Sequence, residues 1–279
     1  LAAWLTLADA QLLASKGRFK EALSRCVAAW KMSSHISKGP VICRLTGLSI
    51  LHTAGECAAD ILPKLPRDLE ILQWLSQRTN EMTQDEHLFE SCLENDLALL
   101  SAYMTSDGAE SSLQPGFVQW ALAKLPKAVI EFALNHPGKF FERNDAYWKN
   151  YVSSVRDALK LPYAEAFGSF RKLAEKVARD SHSIDGAMTG VFAADLTDAF
   201  VAEIRTRTFS NAVAAAVAVY LARTQTGKMP DSLPENLPKD LFSGQDFQYE
   251  QTDDGFVLHC RGKDLTEGRG RRYQFRVEG

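Results

Sequence analysis

Cysteine is scarce and scattered in this chain: Cys26, Cys43, Cys57, Cys92 and Cys260 form no CxxC pair among 279 residues. No disulfide or metal framework is therefore needed to explain folding, and the odd count argues mildly against an oxidising compartment. Histidines are as dispersed. His35, His52, His87, His136, His182 and His259 never stand three or four residues apart, which excludes the paired ligands of a zinc-hydrolase helix. There is no Gly-x-Ser-x-Gly elbow, and Gly227-Lys228 runs into Met229-Pro230, which denies a phosphate its row of backbone donors. No apolar run is long enough to cross a bilayer; the longest, Ala212 to Leu221, leads into Arg223. Charge of one sign is missing too. A net charge of -3 offers no surface to a polyanion, so no nucleic-acid partner is expected, and Arg269, Arg271 and Arg272 read as a solvated start to a strand.

What the chain has in quantity is apolar residues, 46% of the total, at helical spacing. Trp4, Leu7, Ala8, Leu12 and Leu13 predict one apolar helix face before Gly17, and Ala22, Leu23, Cys26, Val27 and Trp30 predict a second helix packed antiparallel on the first. Further helices are predicted from Pro40 to Leu62, Leu69 to Ser76 and Asp85 to Met104. A loop follows from Ser106 to Gln114, then helices over 117–134 with a bend at Pro126, 140–159 and 163–178. An alanine-rich helix is expected over 187–223, ended by Gly227 and Pro230. The last segment changes period. Phe247–Glu250 and Gly255–Cys260 predict a hairpin about Asp253-Asp254-Gly255, with Tyr273–Val277 as a third strand. The fold class is mainly α with an α+β end: an antiparallel helical array or bundle, a long C-terminal helix and a small three-stranded antiparallel sheet. The expected division is a helical scaffold over 1–185 and a helix-plus-sheet unit over 186–279.

Two segments carry a resemblance. The run Ala10 to Leu23, with Gly17 at the turn and Ala22 and Ala29 beyond it, looks like a tetratricopeptide-type hairpin over about residues 1–40. The segment Ala218 to Leu233, with Leu237-Pro238-Lys239-Asp240-Leu241-Phe242-Ser243-Gly244, Phe247-Gln248-Tyr249 and Gly255-Phe256-Val257-Leu258, is similar to the C-terminal part of type II secretion major pseudopilins. The two together resemble uncharacterised helical proteins of planctomycete-type bacteria, and what this implies is architecture. It also implies a calcium candidate in the loop after the second strand, with Asp264 and Glu267 as oxygen ligands. Lys263 and Arg269 would repel a cation there, which leaves an ordinary polar loop as the other reading.

Few residues remain as candidates for chemistry. Asp85, Glu86 and His87 with Glu90 and Glu94 form the best acid and imidazole group on one expected helix. His182 and Asp185 lie in a turn. Asp253-Asp254 and Asp195 with Asp198 are paired carboxylates without the unlike environments that acid and base roles need. No catalytic residue and no cofactor are assigned. The densest aromatic region, Trp120, Phe132, Phe140, Tyr147, Trp148 and Tyr151, is read as core with a part exposed as an interaction surface. The expected function is a protein-interaction or structural scaffold with a protein partner. An enzyme site assembled between helices and a component of a secretion-related assembly are the alternatives. Localisation stays open between a bacterial envelope and the cytoplasm, and a chain that begins at Leu1 is expected to be a processed or truncated product.

Overall fold

The computed structural model describes residues 1–83, 88–104, 123–193 and 196–277. Within these stand ten α-helices and a three-stranded antiparallel sheet. The chain divides into two compact units, one built from residues 1–89 together with 202–279 and the other from 90–201. The expected division at 185/186 follows chain order. The compact units do not, because the first one closes around a helix from the far end of the chain.

In the first unit, α1 (Ala2–Ser15) ends where Gly17 takes φ +75°, and the Gly17 and Arg18 amides close back on Ala14 and Leu13. Helix α2 (Phe19–Ile36) returns along it, with Arg25 holding Asp9 at 2.7 Å. The buried row Ala22, Cys26, Ala29 and Ser33 of α2 is small throughout, and it faces α3 (Val41–Ile61). There the Ser33 hydroxyl donates to the Gly47 carbonyl at 2.7 Å, and a Cβ on Gly47 would lie 2.9 Å from the Ser33 carbonyl. Pro63 tightens the end of α3 into a 3-10 turn, Leu62–Lys64. Helix α4 (Leu69–Thr83) runs past the predicted Ser76: Thr79 is buried with its hydroxyl on the Ser76 carbonyl, and Arg78 pairs with Glu81 on the outer side.

In the second unit stand α5 (Leu88–Met104), of which residues from Glu90 on belong here, α6 (Lys127–Asn135), α7 (Pro137–Leu159), α8 (Tyr163–Asp180) and α9 (Ala187–Phe192). Asn144, buried on α7, organises the turn after α8: its amide donates to Phe140 and Ile184 carbonyls and its oxygen accepts from the Met188 amide. Phe200 stacks on Tyr163 and packs on Phe170.

The helix expected over 187–223 is two. Ala193 is extended, and α10 (Leu196–Thr226) starts anew. A Cβ on Gly190 would come within 2.8 Å of the Ser181 Cα, so α9 is pressed against the end of α8. Alanine-rich sequence suits either course, and this packing made the choice.

From Ala202 onward α10 belongs to the first unit. Ala212 to Val217, with Val219 and Tyr220, are buried on every side. Strands β1 (Gln248–Thr252), β2 (Gly255–Asp264) and β3 (Arg269–Arg276) pair in the order β1-β2-β3, with Thr252 opposite Gly255 at the hairpin and a register shift between His259 and Lys263. Their inner face meets α10 through Phe256 on Tyr220 and Tyr273 on Phe209. On its other side Phe209 lies 3.0 Å from the Cβ position of Gly55 in α3.

Arg44 of α3 and Glu203 of α10 form a two-pronged ion pair at 2.7 and 2.5 Å, each side chain only 3% exposed, and Arg44 also donates to the Ser37 hydroxyl at 3.0 Å. Removing one partner strands a buried charge. Arg44→Met should therefore lower unfolding free energy by about 3–5 kcal/mol, and the double replacement Arg44→Met with Glu203→Leu should recover most of it. Urea denaturation of the two variants checks both signs.

Candidate functional site

Only one charged residue, Asp9, stands in α1, and Arg25 engages it from the neighbouring helix. Apart from Thr6, Gln11 and Ser15, most of the other positions, with Leu1 at the N-cap, fall by the helical repeat into two apolar rows. Ala3, Leu7, Ala10, Leu13 and Ala14 face inward and are buried. Leu1, Trp4, Leu5, Ala8 and Leu12 form the other row, and four of them are large and open, at 92, 48, 62 and 52% exposure for Leu1, Trp4, Leu5 and Leu12. The single face expected from Trp4, Leu7, Ala8, Leu12 and Leu13 is thus two. Each residue is about 100° from the next, so Leu7 and Ala8, or Leu12 and Leu13, cannot share one contact line. The missed signal is that α1 has apolar rows on two sides, separated by Thr6 and Asp9 on one flank and Gln11 on the other, where a one-sided helix has a single row.

The aromatic group behaves differently. Phe140, Trp148 and Tyr151 are core residues of the second unit. Phe132 and Tyr147 are half-buried: the Arg143 guanidinium lies over the Phe132 ring, while Tyr147 donates to Asp180 at 2.9 Å and has Lys176 above it. Burial first, then the hydrogen bond to Asp180, pushes the Tyr147 phenol well above its usual range, so it stays a neutral donor. Trp120 lies outside the described residues. Beside this core is a cavity of about 240 Å³ lined by Tyr151, Phe170, Leu173, Val177, Ala193 and Leu196. Its lining includes no acid, histidine or cysteine.

Four of the acidic candidates, Glu94, Asp185, Asp264 and Glu267, are paired with arginine. Asp85, Glu86, His87 and Asp195 lie outside the described residues, whereas Glu94 pairs with Arg156 at 2.5 Å and Asp185 with Arg143 at 2.9 Å. His182 touches the Ser181 hydroxyl at 3.0 Å, and Asp254 accepts from Thr252 at 3.0 Å. Asp264, fully buried at the end of β2, accepts from Arg205 at 2.5 Å, Arg271 at 2.5 Å and both the amide and hydroxyl of Thr266. Glu267 receives Arg205, Arg271 and Arg269 at 3.1, 3.2 and 3.0 Å. The positive charge beside the two calcium candidates is thus guanidinium, and it accounts for two of the three arginines of the 269–272 cluster. Among the described residues no group of three or more His, Cys, Asp and Glu is placed to hold a metal ion, and no helix is long and apolar enough to cross a membrane.

No protein-family model, no curated protein and no solved structure matches this chain.

Burial alone would raise the Asp264 carboxyl, but the hydrogen bonds from Arg205, Arg271 and Thr266 outweigh it and hold the group well below the usual carboxylate range. A depressed native value contributes stability that is complete above the ordinary Asp pKa of about 3.9 and fades as pH falls through the native one. Asp264→Asn should cost about 3 kcal/mol at neutral pH. It should also flatten the loss of stability below about pH 4, read by urea melts across an acid series.

Proposed function

We propose that this protein is an interaction scaffold in which the outward face of α1 takes an apolar helix presented by a protein partner. The observation that carries the reading is the row Leu1, Trp4, Leu5 and Leu12, exposed together on a helix whose opposite row is fully packed. A row at three- and four-residue spacing is the ridge that another helix accepts in its groove. It lacks charge along its length, so a partner with an uncharged apolar stripe would meet no desolvation penalty there. Burying one leucine is worth about 1.5–3 kcal/mol, and a tryptophan at such a centre is the commonest kind of anchor. Large exposed apolar rows are otherwise a liability, which is the physical reason to read this one as used. The chemistry-bearing groups agree with this reading, since their acids are neutralised by arginines and the cavity of the second unit has apolar walls.

A photo-reactive amino acid placed at Leu5 or Leu12 in the native cell tests it. Both positions should capture the same protein. Trp4→Glu should abolish capture while shifting stability by no more than about 0.5 kcal/mol, as expected at a solvent-facing site. Adducts to lipid only, or to another copy of this chain only, would overturn the reading, as would equal capture from Lys31 on the exposed side of α2.

A further inference from the structure

One edge of the sheet has no strand beside it. In the order β1-β2-β3, β3 is paired on its β2 side alone, and past its end the Val277 amide bonds to the Asp254 carbonyl at 2.8 Å. Directly opposed residues of an antiparallel ladder alternate between bonded and unbonded pairs. With Phe275 opposite Phe256 and Tyr273 opposite Leu258, the backbone groups of Tyr273 and Phe275 therefore turn towards β2, and those of Arg272, Gln274 and Arg276 turn away from it. The Tyr220 hydroxyl donates to the Arg276 carbonyl, which agrees with that direction and closes this end of the edge. Among the described residues the outward amide and carbonyl of Gln274 meet no other backbone group.

Beside this edge lies a groove of about 500 Å³, lined by Gln274, Phe275 and Arg276 on the strand and by Asp60, Pro63 and Lys64 at the end of α3. Its volume is within the range of roughly 300–1,000 Å³ typical of clefts that hold ligands. Arg272, Gln274 and Arg276 are exposed on the outer face of the sheet, while Phe275 between them is buried. Arg269 and Arg271 are held by Glu267 and Asp264, but no carboxylate among the described residues pairs with Arg272, Arg276 or Lys64. Against these three cations the groove lining sets one acid, Asp60.

We propose that the open edge of β3 is a peptide-binding site, where an extended acidic segment of a protein partner adds as a fourth strand. The inference is independent of the α1 face. The added strand would lie about 4.8 Å from β3, its backbone bonded to the Gln274 amide and carbonyl and to the Arg276 amide. Side chains alternate along a strand, so acids at every second position would stand beside Arg272 and Arg276 on the outer face. Lys64 adds positive charge from the opposite wall. An unpaired edge is a template for any strand, and the arginines make the choice: a second copy of β3 would set like charges against each other, whereas an acidic strand is attracted.

The test adds a fluorescein-labelled, end-capped peptide of alternating glutamate and valine to the folded full chain. Binding is read by fluorescence anisotropy and the contacted amides by hydrogen exchange. The peptide should bind, less tightly as salt rises, and should slow exchange of the Gln274 and Arg276 amides while leaving that of Phe275 unchanged. Arg272→Glu with Arg276→Glu should weaken binding about tenfold or more. Lys172→Glu, which reverses an exposed cation of the other unit, should not change it. Gln274→Pro removes an outward amide and no bond to β2, so it should weaken binding too. The same peptide N-methylated at every amide keeps its charge and should fail on the native chain, a result that needs no folded variant. The proposal is overturned if the peptide does not bind, if the N-methylated peptide or one with lysine for glutamate binds as well, or if binding leaves the Gln274 amide unprotected. Protection of that amide by rising protein concentration alone would assign the edge to a second copy and overturn it as well.

Discussion

A helix whose every side is apolar has to be enclosed, and α10 between Ala212 and Tyr220 is such a helix. Enclosure cannot come from the first three helices alone, so the sheet that follows in the chain folds back to complete it. The alanines set how near the neighbours come, and the aromatics Phe209, Tyr220 and Phe256 fill what remains. Just ahead of this segment, Glu203 and Arg205 are two residues apart and so point to nearly opposite sides of α10. One takes Arg44 of α3, the other takes Asp264 at the end of β2. Helix pair and sheet are thereby fixed to the same axis by ion pairs whose carboxylates, Glu203 and Asp264, are buried.

That arrangement explains why the acids of this protein do not read as reactive. Asp264, Glu267, Glu203, Glu94 and Asp185 each meet a guanidinium. A carboxylate fixed by arginine is a poor general acid, because its protonated form is the disfavoured one. Apolar area stands open in the outward row of α1 and lines the cavity beside Tyr151.

Much of the fold was legible. Period, proline and glycine placed α1 to α3, the turn at Gly17, α7 and α8 and the order of the three strands, because each depends on near neighbours in the chain, whereas Pro126, expected as a bend within a helix over 117–134, instead caps the start of α6. The candidate face was half legible. Trp4 and Leu12 were marked as apolar, but their direction was not, since a helix with apolar rows on two sides gives a periodicity count little to orient it by. The break at Ala193 was invisible for a different reason: alanine is the strongest helix former, so an alanine-rich run reads as continuous helix.

Residue order alone determined that this chain would be helical, would end in a small sheet, and would carry none of the local motifs from which catalytic centres are recognised. Tertiary structure decided the pairings: Arg44 with Glu203 across 159 positions and Arg205 with Asp264 across 59. It also decided which of the two apolar rows of α1 faces inward. Local propensity acts over a few residues, whereas burial of charge and of apolar area is settled only when distant segments exclude water from the same place.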